Sequence, residues 1–447
     1  MQKTFLSNLI LIVVLNLLIK PFYILGIDAE VQNRVGAEIY GNYFALLNFS
    51  FLLNILLDFG ITNFNSRNIA QNPQLVNKHF GKLLSIRFTL FFIYVFFTIG
   101  SGLVVGYSNQ EMYFLSLLVL NQFFVATIQY ARSNFAGLHL FKIDAFISVL
   151  DRGLLILLCG VLLWSPLFDS NFKIEWFVYA QTITYLFSAI NSILILKFKI
   201  GNIKLQLKKT FTWALLKQSF PYALLILLMM FYNRIDSVMI ERLLVDGNKQ
   251  AGIYAQGFRF LDAVNMFALL FAGLLLPIFA KLIKQKESFI PILELALKTL
   301  IPISLIIGIT AYFFQFDLIN LRYNDNIKAA AVSFGYLILA FIPISVTYIF
   351  GTLLTANGSL KQLNIMALGG LILNIVLNLI FIPKFKAEGA AIATLITQLI
   401  TAKIQVLLVY YVFKIKVNWI LFVRILTFTV LIISLNYGLT NMLNSTF

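Results

Sequence analysis

Apolar runs of about twenty residues, separated by short polar or charged stretches, recur along the whole chain. Each is long enough to cross the hydrocarbon core of a bilayer as a helix. The pattern predicts about thirteen spans, near 5–27, 40–62, 83–106, 111–131, 143–165, 176–197, 213–240, 252–280, 291–314, 329–356, 363–382, 388–413 and 418–440. A transmembrane β-barrel would instead show alternating segments of about ten residues, and the sequence has none. The expected fold is an all-α polytopic membrane protein.

Composition agrees: of 447 residues, 60% are hydrophobic and 12% charged, where a soluble domain averages about 25% charged. The first apolar run follows Lys3 like the core of a signal peptide. It is too long for one and lacks a small-residue cleavage site, which predicts an uncleaved first helix. Cys159, the single cysteine, sits in "LLILLCGVLLW" and is expected to pack inertly.

The net charge of +16 invites a nucleic-acid partner, but its distribution points elsewhere. With the N-terminus in the cytoplasm, the inner loops hold about 17 Lys/Arg and 2 acids, and the outer loops about 8 and 11. The basic balance therefore reports orientation, and no nucleic-acid partner is expected. Its densest patch, "KFKIGNIKLQLKKT" (197–210), reads as a topology anchor that meets anionic membrane lipids.

That loop also divides the chain: 1–197 as one six-helix bundle, 198–212 as a basic cytoplasmic linker, 213–413 as a second bundle and 414–447 as an extra helix. Residues 37–60 align with 251–274 at about 6 identities in 24, including Ile39/Ile253, Tyr40/Tyr254, Phe44/Phe258 and Leu47/Leu261. Both segments are the second span of their half and both enter from outside. Such parallel repeats are a transporter arrangement.

Three segments carry a family resemblance: "VGAEIYGNYFALLNFSFLLNILLDFGITNF" (35–64), "RIDSVMI…AGIYAQGFRFLDA" (234–263) and "LILNIVLNLIFIPKFKAEGAAIATLITQ" (371–398). They resemble polysaccharide flippases of the Wzx type, in the multidrug/oligosaccharidyl-lipid/polysaccharide exporter superfamily. The resemblance implies 12–14 transmembrane helices in two pseudo-symmetric six-helix bundles around a central cavity, working by alternating access. It implies flipping of undecaprenyl-pyrophosphate-linked glycans across the bacterial cytoplasmic membrane, for O-antigen, capsule or exopolysaccharide. A protein functional as a monomer is expected, with a polysaccharide polymerase and a chain-length regulator as candidate partners. Lipid II flippases are an alternative, but they resemble fourteen-span proteins with an arginine-rich first helix, which this chain lacks.

About nine basic and five acidic residues remain within or at the ends of the spans. Charge at a helix centre costs about 2.5–3.5 kcal/mol on insertion scales, so most should face a cavity or a partner. Arg87, Lys217 and Arg424 lie near span ends and are expected to snorkel. Glu294 and Lys298 are four apart, so each can neutralise the other on one helix face. Lys20, Arg234 and Arg259 fall in the outer half of spans 1, 7 and 8 and suit a pyrophosphate head. The competing role is a structural ion pair with Asp236 or Asp262. Arg152, beside Asp151, and Lys403 are deeper substrate-binding candidates. Asp58, Asp151, Asp236 and Asp262 are candidates for coupling to an H+ or Na+ gradient, although Asp58, at the inner end of span 2, is in a position more often held by a helix-end or lipid-interface residue. Pro21 and Pro221 permit bends where a gate must rock. Asn374 and Asn378 share one face and suit interhelical hydrogen bonds.

Enzyme chemistry has no footing in the sequence. The longest loops are about 20 residues, His79 and His139 lack a metal or nucleophile constellation, and no Walker A, HExxH or GxSxG pattern occurs. No metal or cofactor is expected. A multidrug cation exporter of the same superfamily is the remaining alternative, and the surplus of intramembrane bases argues for an anionic cargo instead.

Overall fold

The computed structural model describes residues 14–62, 75–138, 140–165, 172–200, 206, 209–415 and 418–446. Lys3, His139 and residues 201–205 and 207–208 of the basic linker lie outside the described residues, as does the side chain of His79.

The regular structure among the described residues is helical throughout. Helix α1 (14–22) continues into a π-helical turn, Tyr23–Asp28, and then α2 (Ala29–Leu52). A short α3 (Ile55–Asp58) is followed by α4 (Leu75–Val105), α5 (Asn109–Gly137), α6 (Phe141–Trp164) and α7 (Ile174–Ile200). The second half contains α8 (Lys209–Leu243), α9 (Gly247–Gln285), α10 (Ile290–Phe313) and α11 (Gln315–Arg322). It ends with α12 (Ile327–Ala356), α13 (Leu360–Phe413) and α14 (Trp419–Thr446).

Ten of these helices are long and apolar enough to span a membrane. The 54-residue α13 is broken at Lys386 (φ 53°, ψ −129°), three residues after Pro383, so it supplies both expected spans 363–382 and 388–413. Likewise, α2 is broken at Gly36 (φ 82°, ψ 164°), a conformation that only glycine adopts without strain. This places the expected turn between spans 1 and 2. The architecture is thus a polytopic all-α membrane fold of the expected size.

Two elements depart from the hydrophobic pattern. The expected span 40–62 is interrupted at Leu53–Asn54, because Asn54 turns its amide onto Gln122 Oε1 at 2.8 Å. Further along, α11 is an additional short helix within the loop between spans 9 and 10.

Backbone contacts divide the chain into two compact units, Met1–Val35 with Asn42–Val238, and Gly36–Gly41 with Met239–Phe447. In the first, α5 packs along α7, and α6 and α4 pack beside them. Its core gathers Phe80, Leu83, Tyr130, Phe135, Ile147 and Leu196. In the second unit α12 is central, packed on α9, α10 and α13. The α2 segment Gly36–Gly41 belongs to this unit because it meets the start of α9 at backbone distance. A Cβ on Gly41 would lie 1.8 Å from the Asn248 carbonyl oxygen, and one on Gly252 1.8 Å from that of Ala37. Small residues let membrane helices approach this closely.

Arg87 corrects the snorkelling expectation. Its side chain is 3% exposed and reaches inward, with Nη1 2.7 Å from Asp58 Oδ1 and Nη2 2.8 Å from the Ala126 carbonyl. The guanidinium also stacks over Tyr130, 4.9 Å from the ring centroid. Burial selects the pair because a lone cation here would be expensive to desolvate. Arg87→Ala is therefore expected to destabilise the folded protein by about 3 kcal/mol, read as a lowered unfolding midpoint in detergent. Adding Asp58→Leu should recover part of that loss. An unchanged midpoint for the single variant would show the pair to be dispensable. By contrast, Lys217 and Arg424 are exposed as expected.

Candidate functional site

Interior charge is concentrated in the first unit around α1. Pro21 lies two residues before the π-helical turn, where the hydrogen-bond ladder widens and side chains are re-aimed. That turn places Tyr23 under the Arg152 guanidinium, 4.7 Å from the ring centroid, while Tyr185 lies 5.0 Å away on the same cation. Arg152 also donates to the Tyr185 hydroxyl and stands 3.9 Å from Asp151. Behind them Gln181 donates to the hydroxyls of Tyr43 at 2.8 Å and Tyr23 at 3.4 Å. Asn16 ties α1 to α6 by donating to Ser148 at 2.9 Å. One turn further along α1, half-buried Lys20 feels the charges of Arg132, Asp144, Asp151 and Arg152. Arg132 and Asp144 are themselves paired at 2.7 Å. Lys20, Arg132 and Arg152 thus share this region with Asp144 and Asp151, and the fully buried Asp28 closes the π-helical turn close to Tyr23 and Tyr185.

Arg234 is half-buried on α8, beyond Pro221. It donates to Asn48 at 3.3 Å and lies 5.3 Å from the Phe51 ring centroid. Asp236, two residues on, is fully buried, at 1% exposure. Asp58 is held by Arg87 and Thr62.

In the second unit Arg259 is buried on α9. Its Nε donates to the Tyr40 hydroxyl at 2.9 Å, and Nη1 lies 3.6 Å from Asp262. Nearby, the Tyr254 hydroxyl is 3.3 Å from Thr394. Asn378 donates to Asn374 at 3.1 Å, both fully buried. Lys403 lies on an exposed face of α13 with Ile400, Ile404 and Leu407. Glu294 and Lys298 form their expected pair at 2.9 Å. At the end of α8, Lys386 and Gln250 donate to Asp246 and hold its carboxyl below the ordinary aspartate range.

None of Lys20, Arg234 and Arg259 lies on the exposed surface. Lys20 and Arg152 share one cluster, whereas Arg234 and Arg259 each have a setting of their own. Sequence reasoning missed Arg132, Asp144 and the Tyr23–Tyr43–Tyr185–Gln181 set. A buried tyrosine leaves no mark in a hydropathy pattern, and Arg132 reads as a loop cation from its place at a span end. Among the described residues no group of three or more His, Cys, Asp or Glu is placed to hold a metal ion.

The polysaccharide biosynthesis protein family matches residues 5–283, well over half of the sequence, and the chain belongs to that family. Solved structures share the fold. An inward-facing multidrug resistance MATE family transporter of the MOP superfamily is 14% identical, with a TM-score of 0.64 over 91% of this chain and 95% of that one. The lipid II flippase MurJ in an inward closed conformation is 15% identical, with a TM-score of 0.65 over 96% and 98%. A MOP superfamily transporter from Pyrococcus furiosus is 13% identical, with a TM-score of 0.53 over 91% and 94%. No curated protein matches the sequence. Family and fold together support a multi-pass membrane transporter of the flippase type rather than an enzyme, with lipid-linked glycans as the broad class of cargo.

Proposed function

We propose that the protein flips diphosphate-headed, polyprenyl-linked oligosaccharides from the inner to the outer leaflet of the bacterial cytoplasmic membrane by alternating access. Its N-terminus is cytoplasmic, and the translocated units feed O-antigen, capsule or exopolysaccharide assembly. The observation that carries this reading is the surplus of cations in the membrane-spanning helices of a polysaccharide-family protein. Lys20, Arg132 and Arg152 gather around α1, the two arginines beside Asp144 and Asp151.

An anionic head entering hydrocarbon loses its hydration, and fixed guanidinium and ammonium groups offset part of that cost. Arg152, steadied by two tyrosine rings, and half-buried Arg234 and Lys20 are the binding groups in the first unit. Arg259 is the corresponding cation in the second, and Lys403 is a further contact for the cargo. Pro21, with the π-helical turn beside it, and Pro221 are the bending points. Asp236, Asp262, Asp151 and Asp58 are the acids available to a driving H+ or Na+. The protein works as a monomer and hands its cargo to a polymerase and a chain-length regulator. A multidrug cation exporter would need the opposite balance of interior charge.

The test is surface polysaccharide in a flippase-null strain complemented at matched expression. Arg152→Ala should cut display about tenfold or more, since hydrogen bonds to charged groups contribute about 1.5–3 kcal/mol. Undiminished display would remove Arg152 from the transport path.

A further inference from the structure

The five charged residues around α1 differ in how firmly each is held. Asp144 and Asp151 are the more enclosed, with side chains 9% and 13% exposed, while those of Arg132 and Arg152 are 27% and 25% exposed. Arg132 meets Asp144 through Nε, at the side of the guanidinium. Its two Nη groups donate to no described residue, and among the described residues Lys20 has no ion-pair partner. Thus the carboxylates are more enclosed than the cations they face.

We propose that this cluster is a counter-ion exchange site. Asp144 and Asp151 neutralise Arg132 and Arg152 while the site is empty, and the arriving diphosphate takes both cations over. Lys20, which has no ion-pair partner among the described residues, draws the head in. The inference rests on the proposed function and adds Arg132 as a binding group and Asp144 as the group that limits affinity.

The physical case is a balance between two failures. Three unpaired cations in a low-dielectric interior would be costly to desolvate and would bind a diphosphate too tightly to release it. Fully paired cations would attract nothing. Lys20, with no ion-pair partner among the described residues, beside two arginine–aspartate pairs, lies between these limits. The geometry suits exchange: Arg152 Nε is 3.9 Å from its carboxylate, too long for a tight charge-assisted hydrogen bond. Arg132 can keep its Nε contact while its fork turns to phosphate oxygens.

The experiment measures binding of geranylgeranyl diphosphate to the purified full-length protein, with geranylgeraniol as the uncharged control and inorganic pyrophosphate as competitor. Asp144→Asn should bind the diphosphate about tenfold more tightly, and Arg132→Gln about tenfold more weakly. In the complementation assay Asp144→Asn should nevertheless lower surface glycan, because release becomes slow. Tighter binding with lower output is a combination that a purely structural ion pair does not produce. Should Asp144→Asn fail to fold, Asp151→Asn carries the same expectation. The proposal is overturned if the folded variants bind no more tightly than wild type, or if neither acid can be replaced without unfolding. A wild-type protein that ignores the diphosphate altogether would overturn the proposed function with it.

Discussion

Gly252→Ala is expected to destabilise the protein severely, and Gly252→Val to prevent its accumulation. The added Cβ would lie 1.8 Å from the Ala37 carbonyl oxygen and 2.9 Å from its Cα. These are backbone atoms, so no side chain can swing aside and the two helices must move apart. Overpacking of this kind costs about 3 kcal/mol or more when the neighbour cannot yield. The displacement would also strain the Tyr40–Arg259 hydrogen bond, because Tyr40 lies on the same segment as Ala37. Gly41→Ala, aimed at the Asn248 carbonyl, should behave alike. Gly100 and Gly273 are the controls: nothing stands within 4 Å of a Cβ at either. Alanine there should be neutral, or stabilising by about 0.5–1 kcal/mol through helix propensity. Thermal unfolding of the detergent-solubilised variants makes the comparison. A wild-type midpoint for Gly252→Ala would show that the helices do not pack this closely.

The second large effect is on transport. Arg234→Ala should reduce surface glycan display about tenfold or more while leaving membrane insertion intact. The guanidinium touches the Asn48 amide oxygen at 3.3 Å and lies 5.3 Å from the Phe51 ring centroid, and both contacts position a cation. Arg234→Lys should keep part of the activity, since charge survives and the bidentate fork is lost. Equal loss in both variants would point to a structural fork instead. Full activity in Arg234→Ala would remove the residue from the transport site.

How much of this was legible in the sequence depends on how each feature is encoded. The spans are visible because about twenty apolar residues in a row have few other fates. Gly36 and Lys386, where long helices double back, were legible as short polar breaks between such runs. Tyr40 and Tyr254, paired by the internal alignment, both prove fully buried in the second unit. The pairing Glu294–Lys298 was legible because both partners lie on one helix, where spacing fixes proximity. Long-range pairs carry no such spacing: Arg87–Asp58 spans 29 positions and Arg259–Tyr40 spans 219. That is why Arg87 reads as a snorkelling residue in the sequence and is an interior ion pair in the fold. The cluster around Lys20 was half visible: Arg152 stands out in an apolar run, whereas Arg132 and Asp144 are hidden by their nearness to a loop.

Reconstitution tests whether this chain carries a diphosphate-linked glycan across a bilayer. Purified protein is placed in vesicles containing a fluorescent polyprenyl-diphosphate oligosaccharide, with a membrane-impermeant quencher outside. Wild-type protein should speed movement of the label between leaflets above protein-free vesicles, and Arg152→Ala should return it to near the background rate. A label that moves no faster with folded wild-type protein than without it, under an imposed H+ or Na+ gradient as well, would contradict the account.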